Sequence, residues 1–220
     1  MIPVKICGIT SPQDAEMVIS YGASAIGMIF YRESPRYIDP EKIKEWISTI
    51  PKKVKKVGVF VNEKRKNINT IVEELHLDYI QLHGEESPEY CDNMIKPVIK
   101  AFRVGTDFNQ SVLDNFNVYA LLFDTYQTGK PGGTGKSFNL DLIADLKTDT
   151  PIILSGGLNS ENINKVIETV QPSAIDVNSS VESKRGIKDE VKVKKLFYTI
   201  ENLKYNTDNS CVFAGNLREI

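Results

Sequence analysis

Short runs rich in Val, Ile and Phe recur along this chain, and each is followed by a stretch with helical patterning. That alternation constrains the fold more than any other feature, because a parallel sheet wrapped by helices buries both patterns at once. Eight such runs can be read: Val4 to Cys7, Ala25 to Phe30, Val57 to Val61, Tyr79 to Leu82, Val98 to Phe102, Ala120 to Phe123, Ile152 to Leu154, and Ala174 to Val177. Between them, Ile43, Trp46, Ile47 and Ile50, and again Ile163, Val166, Ile167 and Val170, recur at the spacing of one helix face, which turns toward the sheet. Ser11-Pro12, Asp39-Pro40 and Ser87-Pro88 each put a capping side chain before a proline at the first helical position. Eight strand and helix pairs in about 200 residues imply an α/β protein, a single (β/α)8 TIM barrel of eight parallel strands inside an outer ring of helices. An open doubly wound sheet is the alternative architecture.

The barrel occupies residues 1–203. Beyond Leu203 the pattern stops, and 204–220 reads as a C-terminal tail, a polar stretch and then a short mixed segment. It is expected to be flexible, with docking onto the barrel or a partner as the other reading.

A chain of 220 residues is long enough for one substantial core and short for two. Its formal net charge of -2 carries no electrostatic footprint for nucleic acid or an anionic membrane, so the expected partner is a small molecule. Met1 to Thr10 lacks the pattern of a signal peptide, and no apolar stretch approaches the roughly 18 residues of a membrane span. A cytoplasmic location is expected. Cys7, Cys91 and Cys211 are far apart and His76 and His83 are the only histidines, so neither a disulfide framework nor a metal site is expected. Several helix faces are free to pair, which leaves monomer or homodimer open.

In such barrels the site lies at the C-terminal ends of the strands. The residues there are Cys7, Arg36, His83, Asp124, Gly156-Gly157, and Asp176 followed by Ser179-Ser180. Gly156-Gly157 allows close backbone approach to a phosphate, with a helix from about Ser160 turning its positive end the same way, and Ser179-Ser180 lies at the neighbouring strand end. At the end of its strand, near a phosphate and basic groups, the Cys7 thiol would be acidified and act as a general base. A carboxyl at the end of a buried strand, Asp124, must be paired, solvated by the site or partly protonated, and in the last case can serve as a general acid. The guanidinium of Arg36 suits a carboxylate, and His83 would orient a partner or satisfy the strand end. The segment GKPGGTGKS at 129–137 misses the P-loop spacing by one residue and lies away from a strand end, so 125–138 reads as a lid over the site.

Together these segments resemble phosphoribosylanthranilate isomerases of tryptophan biosynthesis. The likeness runs from about Val4 to Leu203 on Lys5-Ile6-Cys7-Gly8-Ile9-Thr10, Gly58-Val59-Phe60-Val61-Asn62, Gln81-Leu82-His83-Gly84-Glu85, Gly132-Gly133-Thr134-Gly135-Lys136 and Leu154-Ser155-Gly156-Gly157-Leu158. The resemblance implies an Amadori rearrangement of a phosphorylated aminosugar without metal or organic cofactor. Asp124 would be the acid and Cys7 the base. Arg36 would hold the anthranilate carboxylate, Asp176 would lie beside the sugar, and Gly156, Gly157, Ser179 and Ser180 would hold phosphate. Strand eight of the family more often ends Asp-Val-Ser-Ser-Gly, and its lid closes with an acidic residue and a tryptophan. Here Asn178, Ser180, Asn139 and Leu140 stand at those positions. If Ser180 must take positive φ, strain on the order of 1 kcal/mol is expected at the phosphate turn.

Competing readings are other phosphate-binding barrels: an indole-glycerol-phosphate synthase, a pentose-phosphate epimerase, or the histidine-pathway isomerase, which would carry an aspartate in place of Cys7. A non-catalytic binding barrel, with Cys7 only a core thiol, is the reading from another class.

Overall fold

Eight parallel strands close on themselves in chain order, β1 to β8, with β1 hydrogen-bonded to both β2 and β8. The computed structural model describes residues 1–104, 108, 110–124, 140–203 and 212–213. The strands are β1 Val4–Cys7, β2 Ala25–Ile29, β3 Lys55–Phe60, β4 Tyr79–Leu82, β5 Val98–Arg103, β6 Ala120–Asp124, β7 Ile152–Ser155 and β8 Ala174–Val177. The closed barrel excludes the open sheet. Helices α1 Pro12–Ser20, α2 Pro40–Lys44, α3 Arg65–Glu74, α4 Pro88–Cys91, α5 Leu140–Ala144, α6 Ile163–Val170 and α7 Glu190–Glu201 surround it, and a 3-10 turn at Gln110–Asn115 follows β5.

The three predicted caps form as expected. Ser11 accepts from Asp14 N, Asp39 from Glu41 N and Ser87 from Tyr90 N, each before its proline. The stripe Ile43, Trp46, Ile47 and Ile50 is buried, yet α2 ends at Lys44 and a short 3-10 turn, Ile47–Thr49, carries the rest. Ile50 is extended because it precedes Pro51, whose ring disfavours a helical residue before it.

Alternation along each strand divides the core in two. One set of side chains faces the helices, and Ile6, Ile26, Met28, Phe60, Ile80, Leu121, Phe123, Leu154 and Ile175 pack there. The other set fills the barrel and is layered. At the N-terminal mouth Ala25, Val57, Tyr79, Ile99, Ala120, Ile153 and Ala174 form an apolar cluster. Val212 and Phe213 of the tail are 0% and 3% exposed and belong to this same cluster, with the Phe213 ring edge-on to Tyr79 at 5.6 Å. At the C-terminal ends, Glu86 accepts from the backbone N–H of Asn62 and Gly84 and pairs with Lys100 at 3.0 Å. That buried pair ties β3, β4 and β5 together next to His83. No helix among the described residues is long and apolar enough to cross a membrane.

Candidate active site

A cavity of about 650 Å³ opens at the C-terminal mouth. It is lined by every residue singled out in the sequence: Cys7, Arg36, His83, Asp124, Gly156, Gly157, Asp176, Ser179 and Ser180. Their convergence follows from parity, since Cys7, His83, Asp124 and Asp176 each occupy an inward position on or just beyond β1, β4, β6 and β8. The lid segment 125–138 and Asn139 lie outside the described residues, as does Cys211. Among the described residues no cluster of three or more His, Cys, Asp or Glu is arranged to hold a metal.

The acid side is assembled on β4 and β6. His83 Nε2 lies 3.4 Å from Asp124 Oδ2, and the Gln81 amide lies 3.0 Å from His83 Nδ1. An amide donor at Nδ1 makes that nitrogen the acceptor and puts the ring proton on Nε2, facing Asp124.

The base side is assembled on β1 and β8. Lys5, completely buried, donates to Asp176 Oδ2 at 2.8 Å. Asp176 Oδ1 is buried without a hydrogen-bond partner, as is Gln81 Oε1, and both residues line the cavity. Burial pushes the Cys7 thiol up, Lys5 pulls it down, and Asp176 pushes it up again, so the thiol ends above its ordinary range. This corrects the expectation of an acidified thiol: desolvation outweighs the cations. Burial also pushes the Asp176 carboxyl up against the opposing pull of Lys5. Lys5 itself is desolvated, but Asp176 and Cys7, through their charges and hydrogen bonds together, outweigh that and push its ammonium up from the ordinary range.

Arg36 is engaged side-on. Its Nε and one terminal nitrogen donate to the two Glu182 oxygens at 2.8 and 2.7 Å. The guanidinium edge opposite Nε is the part that a substrate carboxylate can use. Glu182 sits on the short antiparallel pair β9 Glu182–Lys184 and β10 Ile187–Lys188, where Lys188 donates to it at 3.1 Å and to Asn178 Oδ1 at 3.1 Å. Burial works against the Glu182 charge, but the Arg36 hydrogen bond and Lys188 overcome it and hold its carboxyl below the ordinary range.

The turn after β7 differs in one respect from expectation. Gly156 and Gly157 both have positive φ (89° and 62°), but helix α6 begins at Ile163 rather than near Ser160. An asparagine-built turn fills the gap: Asn162 accepts from Asn159 N and donates to the Gly157 carbonyl at 3.0 Å. Nothing lies within 4 Å of where a Gly157 side chain would be, so that backbone faces open cavity. Ser180 stands in the 3-10 turn Ser179–Val181, and its hydroxyl donates to the Leu158 carbonyl. It is absent from the residues with positive φ, so the strain considered for this position does not arise.

Lys5, Gln81, Glu182 and Lys188 were given no role from sequence. Lys5 and Gln81 had a signal, each a polar residue two positions before a strand-end candidate and therefore on the same face. Glu182 and Lys188 had none, because a hairpin beyond the last strand brings them in.

Acid and base candidates sharing one cavity with a glycine turn, at the catalytic end of a closed barrel, define an enzyme of proton transfer on a small polar substrate. Residues 4–199 match the family described as N-(5'phosphoribosyl)anthranilate (PRA) isomerase. The chain belongs to that family. The N-(5'-phosphoribosyl)anthranilate isomerase of Geobacter sulfurreducens is 43% identical over 196 residues, covering 89% of this chain and 97% of the relative. The crystal structure of phosphoribosyl anthranilate isomerase from Thermotoga maritima matches with a TM-score of 0.80 at 38% identity, over 92% of this chain and 100% of that one. A phosphoribosyl anthranilate isomerase in complex with reduced 1-(o-carboxyphenylamino)-1-deoxyribulose 5-phosphate matches with a TM-score of 0.78 at 36% identity, again over 92% and 100%.

Proposed function

We propose that this chain converts N-(5-phosphoribosyl)anthranilate to 1-(2-carboxyphenylamino)-1-deoxyribulose 5-phosphate in tryptophan biosynthesis, with Asp124 as general acid and Cys7 as general base. The observation that carries the reading is one cavity holding both groups between a glycine turn and an oriented arginine. Asp124 gives its proton to the ring oxygen as the C1–O bond breaks, leaving a Schiff base. Cys7 then takes the C2 proton, and the enolamine tautomerises to the ketone. Arg36, braced by Glu182, turns its remaining edge to the anthranilate carboxylate. The unpartnered Asp176 Oδ1 accepts from a sugar hydroxyl, and His83 steadies Asp124. Backbone at Gly156, Gly157, Ser179 and Ser180 cradles the phosphate. The scheme uses the protein's own side chains and backbone, with no cofactor, in a cytoplasmic monomer or homodimer.

Loss of phosphoribosylanthranilate fluorescence tests it with wild type, Cys7→Ser and Asp124→Asn. Acid and base catalysis each contribute about 10² to 10⁴ in rate, so either variant should lose turnover on that scale while still binding product analogue. Undiminished turnover in both variants would sink the assignment. Binding without turnover in the wild type would favour the non-catalytic barrel.

A further inference from the structure

Lys5 is a fully buried charged side chain on the inner face of β1, and the catalytic scheme above does not use it. Burying an ammonium is costly unless it is paired, so its position needs a reason. Three features of the backbone put it there. Lys5 and Cys7 are two residues apart on β1 and point the same way. Asp176 lies opposite Lys5 on β8 and binds its ammonium at 2.8 Å. Gly27 lies opposite Cys7 on β2. A methyl group on Gly27 would come within 2.9 Å of Cys7 Sγ, 3.0 Å of Lys5 Cε and 3.1 Å of Lys5 Nζ. Thiol and ammonium therefore flank the same missing side chain, and the glycine is the slot that lets them meet.

We propose that Lys5 is the positioning residue that makes Cys7 a usable base: anchored by Asp176 in the Gly27 slot, its ammonium stabilises the thiolate before proton abstraction. The inference rests on the reading of Cys7 as base. In the step itself the S–H bond forms as the C2–H bond breaks. The electron pair of that bond forms C1=C2, the C1=N π pair moves onto the protonated Schiff-base nitrogen and neutralises it, and Lys5 keeps its own protons. The charged groups facing the thiol are Lys5 on its own strand, Asp176 on β8, Lys188 on β10 and Arg36 beyond β2, with His83 and Asp124 across the cavity. Among them Lys5 opposes the effect of burial most strongly. Asp176 thereby holds two duties through its two oxygens, one on Lys5 and one toward the cavity.

The test measures alkylation of Cys7 by iodoacetamide against pH without substrate, read on the Cys7 peptide by mass spectrometry, beside the pH profile of kcat/KM. Lys5→Met removes the charge. Lys5→Met with Asp176→Asn removes it without stranding a buried carboxylate, and Gly27→Ala displaces the ammonium while keeping it. Lys5→Met and Gly27→Ala should move the alkylation profile to higher pH and slow it about tenfold near neutrality, since an adjacent opposite charge is worth one pH unit or more. The double variant, which also loses the opposing Asp176 charge, should move it the same way by less. Lys5→Arg should recover part of the loss. A merely structural pair would lower stability and leave the profile in place, so an unchanged profile in Lys5→Met, or in Gly27→Ala should Lys5→Met not fold, overturns the inference. Full turnover by Cys7→Ser would instead remove the role of Cys7 as base and leave the alkylation result to stand as a measure of the coupling.

Discussion

The two mouths of this barrel are made by the same eight strands, a few residues apart, and they have opposite chemistry. At the C-terminal mouth the inward positions hold Cys7, His83, Asp124, Ser155 and Asn178, around an open cavity. At the N-terminal mouth they hold Ala25, Val57, Tyr79, Ile99, Ala120, Ile153 and Ala174, and two residues of the C-terminal tail close that end. Between the two lies Lys5 with Asp176, the one buried ion pair of the middle layer among the described residues. One end has polar atoms left unpaired for a ligand. The other, among the described residues, is packed with apolar side chains.

The comparison predicts a division of labour in mutants. Phe213→Ala should give the largest effect on stability, because its ring packs on Tyr79 inside the cluster. Phe to Ala in a core costs about 3 to 5 kcal/mol, and a residue carried on a tail should fall at the lower end. The measurement is a urea melt beside a turnover assay: the midpoint should fall while kcat and KM at 25 °C stay within about twofold. That is the mirror image of Asp124→Asn, expected to lose turnover with its melt unchanged. A Phe213→Ala protein as stable as wild type would show that the N-terminal mouth does not need its plug.

The same contrast explains what could be read from the chain. All eight strands were legible, because each is a run of branched or aromatic residues set off by turn or cap signals. Boundaries drifted only slightly, as where β3 begins at Lys55 rather than Val57. The strand-end residues were legible too, since β/α topology alone sends them to one rim. What escaped was everything that reaches its place through tertiary structure. Glu182 and Lys188 arrive by a hairpin beyond β8, and Val212 and Phe213 arrive from a segment with no periodicity to mark it, where docking onto the barrel was only the second reading. The shifted start of α6 escaped because Asn159 and Asn162 satisfy one another in a turn, which competes with helix.

A smaller effect should separate binding from chemistry within the C-terminal mouth. Arg36→Lys removes the planar fork that Glu182 holds, and leaves Glu182 paired with Lys188. KM should rise about tenfold with kcat nearly unchanged, the pattern of lost uniform binding. The wild-type grip also carries a pH signature. The folded pKa of Glu182 is depressed, so its contribution is present above the unfolded value near 4.5 and is lost as pH falls through the lower folded value. The part of substrate affinity that Arg36 supplies should therefore hold down to about pH 4.5 and weaken only below it. A ratio of Arg36→Lys to wild-type KM that already collapses between about pH 7 and 5, a window in which the substrate phosphate titrates equally for both proteins, would mean that Arg36 is not oriented by this carboxylate.

Ser180→Gly should have the smallest effect, and its sign decides what the serine does. If a serine in place of the family's glycine strained the turn, glycine would stabilise the protein and tighten phosphate. The backbone at Ser180 is not in the left-handed region, and its hydroxyl ties the turn after β8 to the Leu158 carbonyl after β7. Removing that hydrogen bond should cost about 0.5 to 1.5 kcal/mol, and freeing the backbone should add a few tenths. Thermal melts should show the loss, and inhibition by inorganic phosphate should weaken by about two- to threefold as the two phosphate-facing turns come apart. A more stable Ser180→Gly variant with tighter phosphate binding would put the strain back at this position and make the turn, not the hydroxyl bridge, the element that shapes the site.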